Sequence, residues 1–364
     1  EWIDKTYSLS GMVDYIQAHP DLVSVTLAAI EDIASDSSST AIRYGENEPR
    51  VMAGIGHLIL LGTYAELVSN GELSPEMTFS RSDIERFFVP GVEPNRHRES
   101  MRLLESTSGT NDVFQLYDIV EVMVLRNHQP SADLIYSVLG VEHITAFLEK
   151  YSDGGIQAPA MWSAFHLAVV ASGQTRSIDG NPEDYRNYYD INLERLSSGK
   201  SDATTILNAL GLKKLDYTFF EEKNAYRNLP VAQPGSIARL LNTLLDEDHV
   251  ESELRAVIVS HMDWPMQDPK VMRDFEVLYA MYDNRISVSH GVAFGTSAYT
   301  QRTYISTVFF DSLPVGFWMH MSSNLINQDY QLRLMYDPAL YDRTYNLLML
   351  SESDGNQTET INEE

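Results

Sequence analysis

From residue 51 to residue 262 the apolar residues recur at helical spacing, and on both sides of that stretch the spacing becomes that of strands. This change of period, made twice, constrains the fold more than any single motif. Before it, residues 9–18 read as a helix, with Met12, Tyr15 and Ile16 on one face and Pro20 ending the pattern. Residues 21–30 and 39–44 read as two strands joined across the polar turn 35–38. Inside the stretch, helices are predicted over 57–68, 114–125, 131–139, 142–150, 237–245 and 252–262, the first closed by Ser69-Asn70-Gly71. After it, 285–295, 303–311 and 315–322 read as three consecutive antiparallel strands, and 338–349 as a last helix.

The economical arrangement is an α/β (α+β) molecule: one five-stranded antiparallel sheet flanked by the terminal helices, with an all-helical domain inserted between strands 2 and 3. The expected domains are 1–50 with 272–350 for the sheet and 51–271 for the helices. Within the latter, 151–202 is polar and rich in Gly and Tyr, and reads as an elaborated loop with one apolar helix at 160–171. The tail 351–364 is acidic and polar, expected to be disordered, and holds an Asn-x-Thr at Asn356.

Composition removes several functions. With 26 Lys+Arg against 52 Asp+Glu the net charge is −26, which argues against nucleic acid and anionic membrane surfaces as partners. The chain has no cysteine, so disulfides, thiolate metal sites and cysteine nucleophiles are excluded. No apolar run is long enough for a membrane span. The acidity reads as a solubilising surface, with a salty habitat as the second reading. The first residue is Glu1, so an upstream segment such as a removed signal peptide is expected, and with it an extracytoplasmic location, periplasmic or secreted.

The ten histidines form neither His-x-x-x-His nor His-Glu-x-x-His, so no metal and no cofactor is expected. The run 179–184 imitates half of a calcium loop without its closing Glu. Tyr185, Tyr188 and Tyr189 read as packing residues for the extra region, and Trp264, Phe317 and Trp318 as core.

Five stretches, in order, carry a resemblance. Pro20-Asp21-Leu22-Val23-Ser24-Val25 follows the first helix; His57-Leu58-Ile59-Leu60-Leu61 leads into Gly71-Glu72-Leu73; Leu116-Tyr117-Asp118-Ile119-Val120 leads through Asn127 to Gly140. Leu210-Gly211-Leu212 precedes Gln233-Pro234-Gly235-Ser236-Ile237-Ala238-Arg239-Leu240-Leu241, and 288–295 closes the series. Together they resemble the serine β-lactamase and penicillin-binding-protein family, class A β-lactamases above all, over roughly residues 10–350.

The resemblance implies acyl transfer through three motifs, and all three are degenerate here. The nucleophilic Ser and the Lys one helical turn later fall on Gly54 and His57. A glycine cannot form an acyl-enzyme, and His57 has no hydroxyl to activate. The Ser-Asp-Asn motif falls on Asn127, His128 and Gln129, an amide that shuttles no proton and a second amide that can still orient a ligand. Asp133 stands where the family has a helix-capping polar residue. The Lys-Thr-Gly motif falls on Ser289, His290 and Gly291, without the fixed positive charge. The N–H groups of Gly54 and Val292 are the expected oxyanion-hole-like pair. Glu221, Glu222 and Asn224 lie in the stretch that should supply a water-activating Glu, at spacings that assign none of them. The only Ser-x-x-Lys, Ser197-Ser198-Gly199-Lys200, lies in the polar extra region.

The expectation is a non-catalytic member, not an enzyme, that binds a small-molecule or peptide-like ligand in the cleft, or a protein partner. His57, Asn127, Gln129, Ser289, His290 and Val292 are its candidate contacts, and His57 and His290 are expected to face one cleft with His128 at its rim. The alternative is a hydrolase of the β-lactamase or esterase type, with a relocated nucleophile or a His-based water-activating site. A third class is an assembly protein whose contacts come from 151–202.

Overall fold

Val23–Ala29, apolar but for the small Ser24 and Thr26, has all seven residues buried, as a strand covered on both faces and both edges requires. It is β1 of a structure, a computed structural model, that describes residues 9–33, 40–110, 112–173 and 182–350. The other strands are β2 (Ile42–Tyr44), β3 (Arg50–Val51), β4 (Thr78–Ser80), β5 (Val113–Gln115), β6 (Val231–Ala232), β7 (Phe275–Arg285), β8 (Val288–Ser297) and β9 (Thr303–Phe310). β2, β1, β9, β8 and β7, in that order, form one five-stranded antiparallel sheet, while β3–β6 and β4–β5 are two-stranded.

The two faces of the sheet follow the period of two. Leu278, Ala280, Tyr282, Ala293, Val308 and Phe310 meet the terminal helices Leu9–Ala18, Val315–Ser323 and Ile326–Tyr336 through Met12, Ile16, Phe317, Tyr330 and Leu334. Met281, Val288, Val292 and Phe309 point the other way and join the core of the helices between β2 and β7. His57–Ser69 runs through the middle of that core with ten of its thirteen residues buried, so it is apolar all round. Gly62 is required there: a Cβ would stand 2.3 Å from Phe147 Cζ of the Val141–Tyr151 helix.

Two expectations need correcting. Residues 315–322 are not a strand. Val315–Ser323 is a helix entered through Pro314, and it buries Phe317 and Met321, four apart, while Met319 between them is 46% exposed. A strand would have put all three on one face. The fifth strand is instead Phe275–Arg285, where the charges at Glu276, Asp283 and Arg285 disguise the alternation. Residues 151–202 are also more than a loop. Besides Trp162–Ala171 they form the sixteen-residue helix Pro182–Ser197, which buries Asn192 and Leu196 and lays Tyr185, Tyr189 and Leu193 on the core. Tyr185 and Tyr189 thus pack as expected, while Tyr188 is exposed. The first half of the calcium-like run at 179–184 and the whole tail with Asn356 fall outside the described residues, while Pro182, Glu183 and Asp184 open the helix Pro182–Ser197.

Candidate functional site

The site is built where the start of the His57–Ser69 helix meets the end of β7. Residues Ala53–Gly56 form a single 3-10 turn before the helix. The Gly54 N–H donates to Asp283 Oδ2 at 2.7 Å. A Cβ on Gly54 would stand 2.6 Å from Asp283 Cγ and 2.8 Å from Asn127 Oδ1, so a carboxylate occupies the space that any side chain at 54 would need.

Asp283 and Arg285 are two apart on β7 and therefore share a face, the one turned to the helices. Arg285 is fully buried, and each arm of its guanidinium is engaged. Nε donates to Asp283 Oδ2 at 3.0 Å, Nη1 to Glu93 Oε2 at 2.7 Å and Nη2 to the Asn127 carbonyl at 3.1 Å. Its flat face lies over the Trp162 ring at 4.3 Å. Burial alone would raise the Asp283 carboxyl, but Arg285, Arg96 and the Gly54 N–H overcome it and hold the group below the usual carboxylate range. Asn127 caps the Leu116–Arg126 helix in the left-handed region (φ 49°) and its amide donates to the Tyr282 carbonyl.

His57 is buried among these groups. Its Nε2 accepts the Trp162 indole N–H at 3.2 Å, which leaves the ring proton on Nδ1. Burial and then the Arg285 charge push it down to about 3, so the ring is neutral. Asp133 is pushed up to about 7 by burial, against the N–H groups of Trp162 (2.6 Å) and Ser163 (2.7 Å) that it accepts. It does cap a helix, Trp162–Ala171, rather than the one that carries it.

The remaining candidates disperse. His290 faces the helices, donates from Nε2 to the Val51 carbonyl at 2.7 Å and stacks on Phe309. Ser289 and Gly291 point to the opposite side of the sheet. Ser289 Oγ accepts from Asn327 at 2.6 Å, and a Cβ on Gly291 would strike Gln331. Val292 is fully buried in interior strand β8, opposite Met281 and Thr307, while the Gly54 N–H already belongs to Asp283; the two are not an oxyanion pair. Gln129 is buried beside His128 and Glu93, its amide nitrogen without a partner. Lys200 pairs with Glu194 at the surface, so Ser197 and Lys200 build no site.

A second polar line runs outward from His128. Ser131 Oγ is 2.8 Å from His128 Nδ1, His128 Nε2 is 2.9 Å from His97 Nδ1, and His97 Nε2 is 3.1 Å from Glu85 Oε2. One tautomer assignment satisfies all three contacts, with each group donating to the next from Ser131 to Glu85. His97 stacks on Phe88 at 4.0 Å. Of the unassigned acidic stretch, Glu222 lies in the field of Glu93, Arg285 and Arg96 and accepts from the Tyr226 hydroxyl at 2.6 Å, its carboxyl raised by burial. Glu221 closes a capping box with Thr218.

Sequence reasoning passed over Asp283, Arg285, Glu93 and Trp162. The available signal was Asp283-x-Arg285 itself, an acid and a base on one face of an otherwise apolar stretch. The two hollows that adjoin the site, one beside His57 and Trp162 and one beside Glu93 and His128, hold about 10 Å³ each, room for a single water. Among the described residues no group of three or more His, Asp or Glu is arranged to hold a metal ion.

No protein-family model matches the chain. No curated protein matches it in sequence. Solved structures do match. The crystal structure of a β-lactamase from Sphaerobacter thermophilus superposes with a TM-score of 0.50 at 12% identity, over 94% of this chain and 98% of that one. The chain has the β-lactamase fold. A β-lactamase from Francisella tularensis (9% identity, TM-score 0.49, 88% of this chain and 98% of that one) and an ancestral class A β-lactamase (13%, 0.48, 88% and 99%) are also similar. At these identities the likeness extends to the β-lactamase fold alone. Among the described residues no helix is long and apolar enough to cross a membrane.

Proposed function

We propose that this protein is a non-catalytic β-lactamase-like protein that works by binding, outside the cytoplasm. In this reading residues 51–271 are a helical domain set into a sheet domain of 1–50 and 272–350. One observation carries the reading: the Asp283 carboxylate sits on the Gly54 N–H, in the space that a nucleophilic side chain would require. The motif positions then serve as filling. His57 and Asn127 are buried parts of a polar cluster, and Gln129 and His290 are buried beside it, rather than contacts waiting for a guest. With room for one water on either side of that cluster, a protein partner at the outer surface is favoured over a small molecule inside. The test is incubation with a chromogenic β-lactam and a generic ester, followed by intact-mass measurement. No hydrolysis above buffer and no mass gain are expected. Turnover, or an adduct, removes the reading.

A second reading, a hydrolase with a relocated nucleophile, has the Ser131–His128–His97–Glu85 line in its favour. Such a chain draws the hydroxyl proton toward a carboxylate, as a base held by an orienting group does. Ser131 is, however, fully buried. Treatment with a fluorophosphonate probe decides: an adduct on Ser131 that disappears in His128→Ala would establish the hydrolase.

A further inference from the structure

At the opposite end of the sheet lies a third hollow. The register fixes its place. His290, beside the closed cluster, is paired with Phe309 near the end of β9, whereas Tyr304, which lines the hollow, is near the start of β9 and paired with Gly295 and Ala29. Its volume is about 170 Å³, enough for one six-membered ring. The sequence explains the space. β1 ends in the small Ala29, and the chain turns between the helices Ile326–Tyr336 and Pro338–Tyr345 at Asp337-Pro338, which leaves a notch over the strand ends.

Tyr304, Tyr336 and Tyr341 line the hollow together with the buried Leu334 and Met335, and Thr40, Thr300 and Asp337 supply the polar part of its wall. Tyr341 is pinned by its hydroxyl, which donates to the Thr40 carbonyl at 2.6 Å. Arg302 stands at the mouth with its guanidinium 5.5 Å from the centre of the Tyr304 ring. Its ion pair is with Glu31, 3.0 Å from Nη2, and both side chains are about half exposed (46% and 59%). An exposed pair of this kind contributes little, so a ligand carboxylate can displace Glu31 and take the fork in bidentate fashion.

We propose that this hollow binds a small aromatic carboxylate, with the ring between the three tyrosines and the carboxylate on Arg302. The overall charge of −26 opposes an anion, and Asp337 in the wall and Asp32 near Arg302 add to it, so the direct contact with the Arg302 fork has to outweigh them. For a ligand of this size the expected Kd is on the order of 1 mM.

The test is ligand-observed fluorine NMR on the full chain with 4-fluorobenzoate, alongside fluorobenzene and fluoroacetate. Saturable binding of 4-fluorobenzoate alone is expected. Arg302→Gln should weaken it by about tenfold, the loss of a charge-assisted pair. Glu31→Gln should tighten it by removing the internal competitor. Both residues are at the surface, so neither change threatens folding, which a thermal melt checks. The proposal is overturned if 4-fluorobenzoate shows no saturation, if fluorobenzene or fluoroacetate binds equally well, or if the two substitutions leave the affinity unchanged. None of these outcomes touches the Asp283 cluster, so this site stands or falls apart from the function proposed above.

Discussion

Gly54→Ser is expected to lower the melting temperature and to create no activity against a chromogenic β-lactam. The new Cβ meets Asp283 and Asn127 at under 3 Å, an overpacking that costs about 1–3 kcal/mol. Asp283→Asn should cost more, about 3–5 kcal/mol in urea denaturation, because it leaves the buried Arg285 charge without its one fully buried counter-ion. The pH dependence has a definite sign. His57 and His166 are pushed down to about 3, by burial first and the Arg285 charge second. Below the ordinary histidine value the unfolded chain takes up protons that the folded one refuses, so stability falls as pH drops through that window, by about 1.4 kcal/mol per pH unit for each. His128 and His290, both lowered by burial, add in the same direction. Asp133, raised to about 7, opposes them, since its folded state keeps a proton that the unfolded state has lost. Urea midpoints between pH of about 4.5 and 6.5 should therefore rise with pH, and His57→Gln should reduce the slope by about 1.4 kcal/mol per unit. An unchanged slope would mean that His57 is charged in the folded protein. At this scale the sequence shows Gly54 and His57 where the resemblance expects Ser and Lys, and is silent about which groups surround them. Gly54 stands out in the sequence by itself, whereas Asp283 and Arg285 stand out only once the fold turns their face of β7 inward.

Elements with a strong apolar period were legible and those with a mixed surface were not. The helix Leu9–Ala18 and the helix Ser252–Met262 have the bounds that spacing predicts, because one face of each is plainly apolar and a breaker or cap ends it. Val315–Ser323 was misread since its apolar residues run without interruption, and a continuous run fits strand or helix until burial separates Phe317 and Met321 from Met319. Pro182–Ser197 hid for the opposite reason: its polar residues outnumber a narrow stripe of Tyr185, Tyr189, Asn192 and Leu196. That stripe holds the helix to Trp162–Ala171, and the Tyr189 hydroxyl accepts the Met161 N–H at 2.9 Å where that helix begins. Leu196→Ala is expected to cost about 2–5 kcal/mol, measured as a shift in urea midpoint, against little for the exposed neighbour Ile191→Ala. A cost near zero for Leu196 would show that this helix is an appendage.

For the whole molecule, the order of helices and strands pointed to a five-stranded antiparallel sheet with terminal helices against it, but put its fifth strand at 315–322 instead of at Phe275–Arg285. The order gave no access to how tightly the two halves meet, which depends on the handful of side chains around Arg285. A net charge of −26 should make added salt stabilising: the melting temperature is expected to climb with sodium chloride and level off once the screening length is a few ångströms. Arg285 has a consequence at this scale too. One guanidinium is bonded to a sheet strand, to Glu93 ahead of one helix and to Asn127 at the end of another, and lies flat on Trp162 at the start of a third. To part the halves would break these four contacts together. The molecule is riveted across that seam, and its thermal unfolding should be a single cooperative peak in the calorimeter.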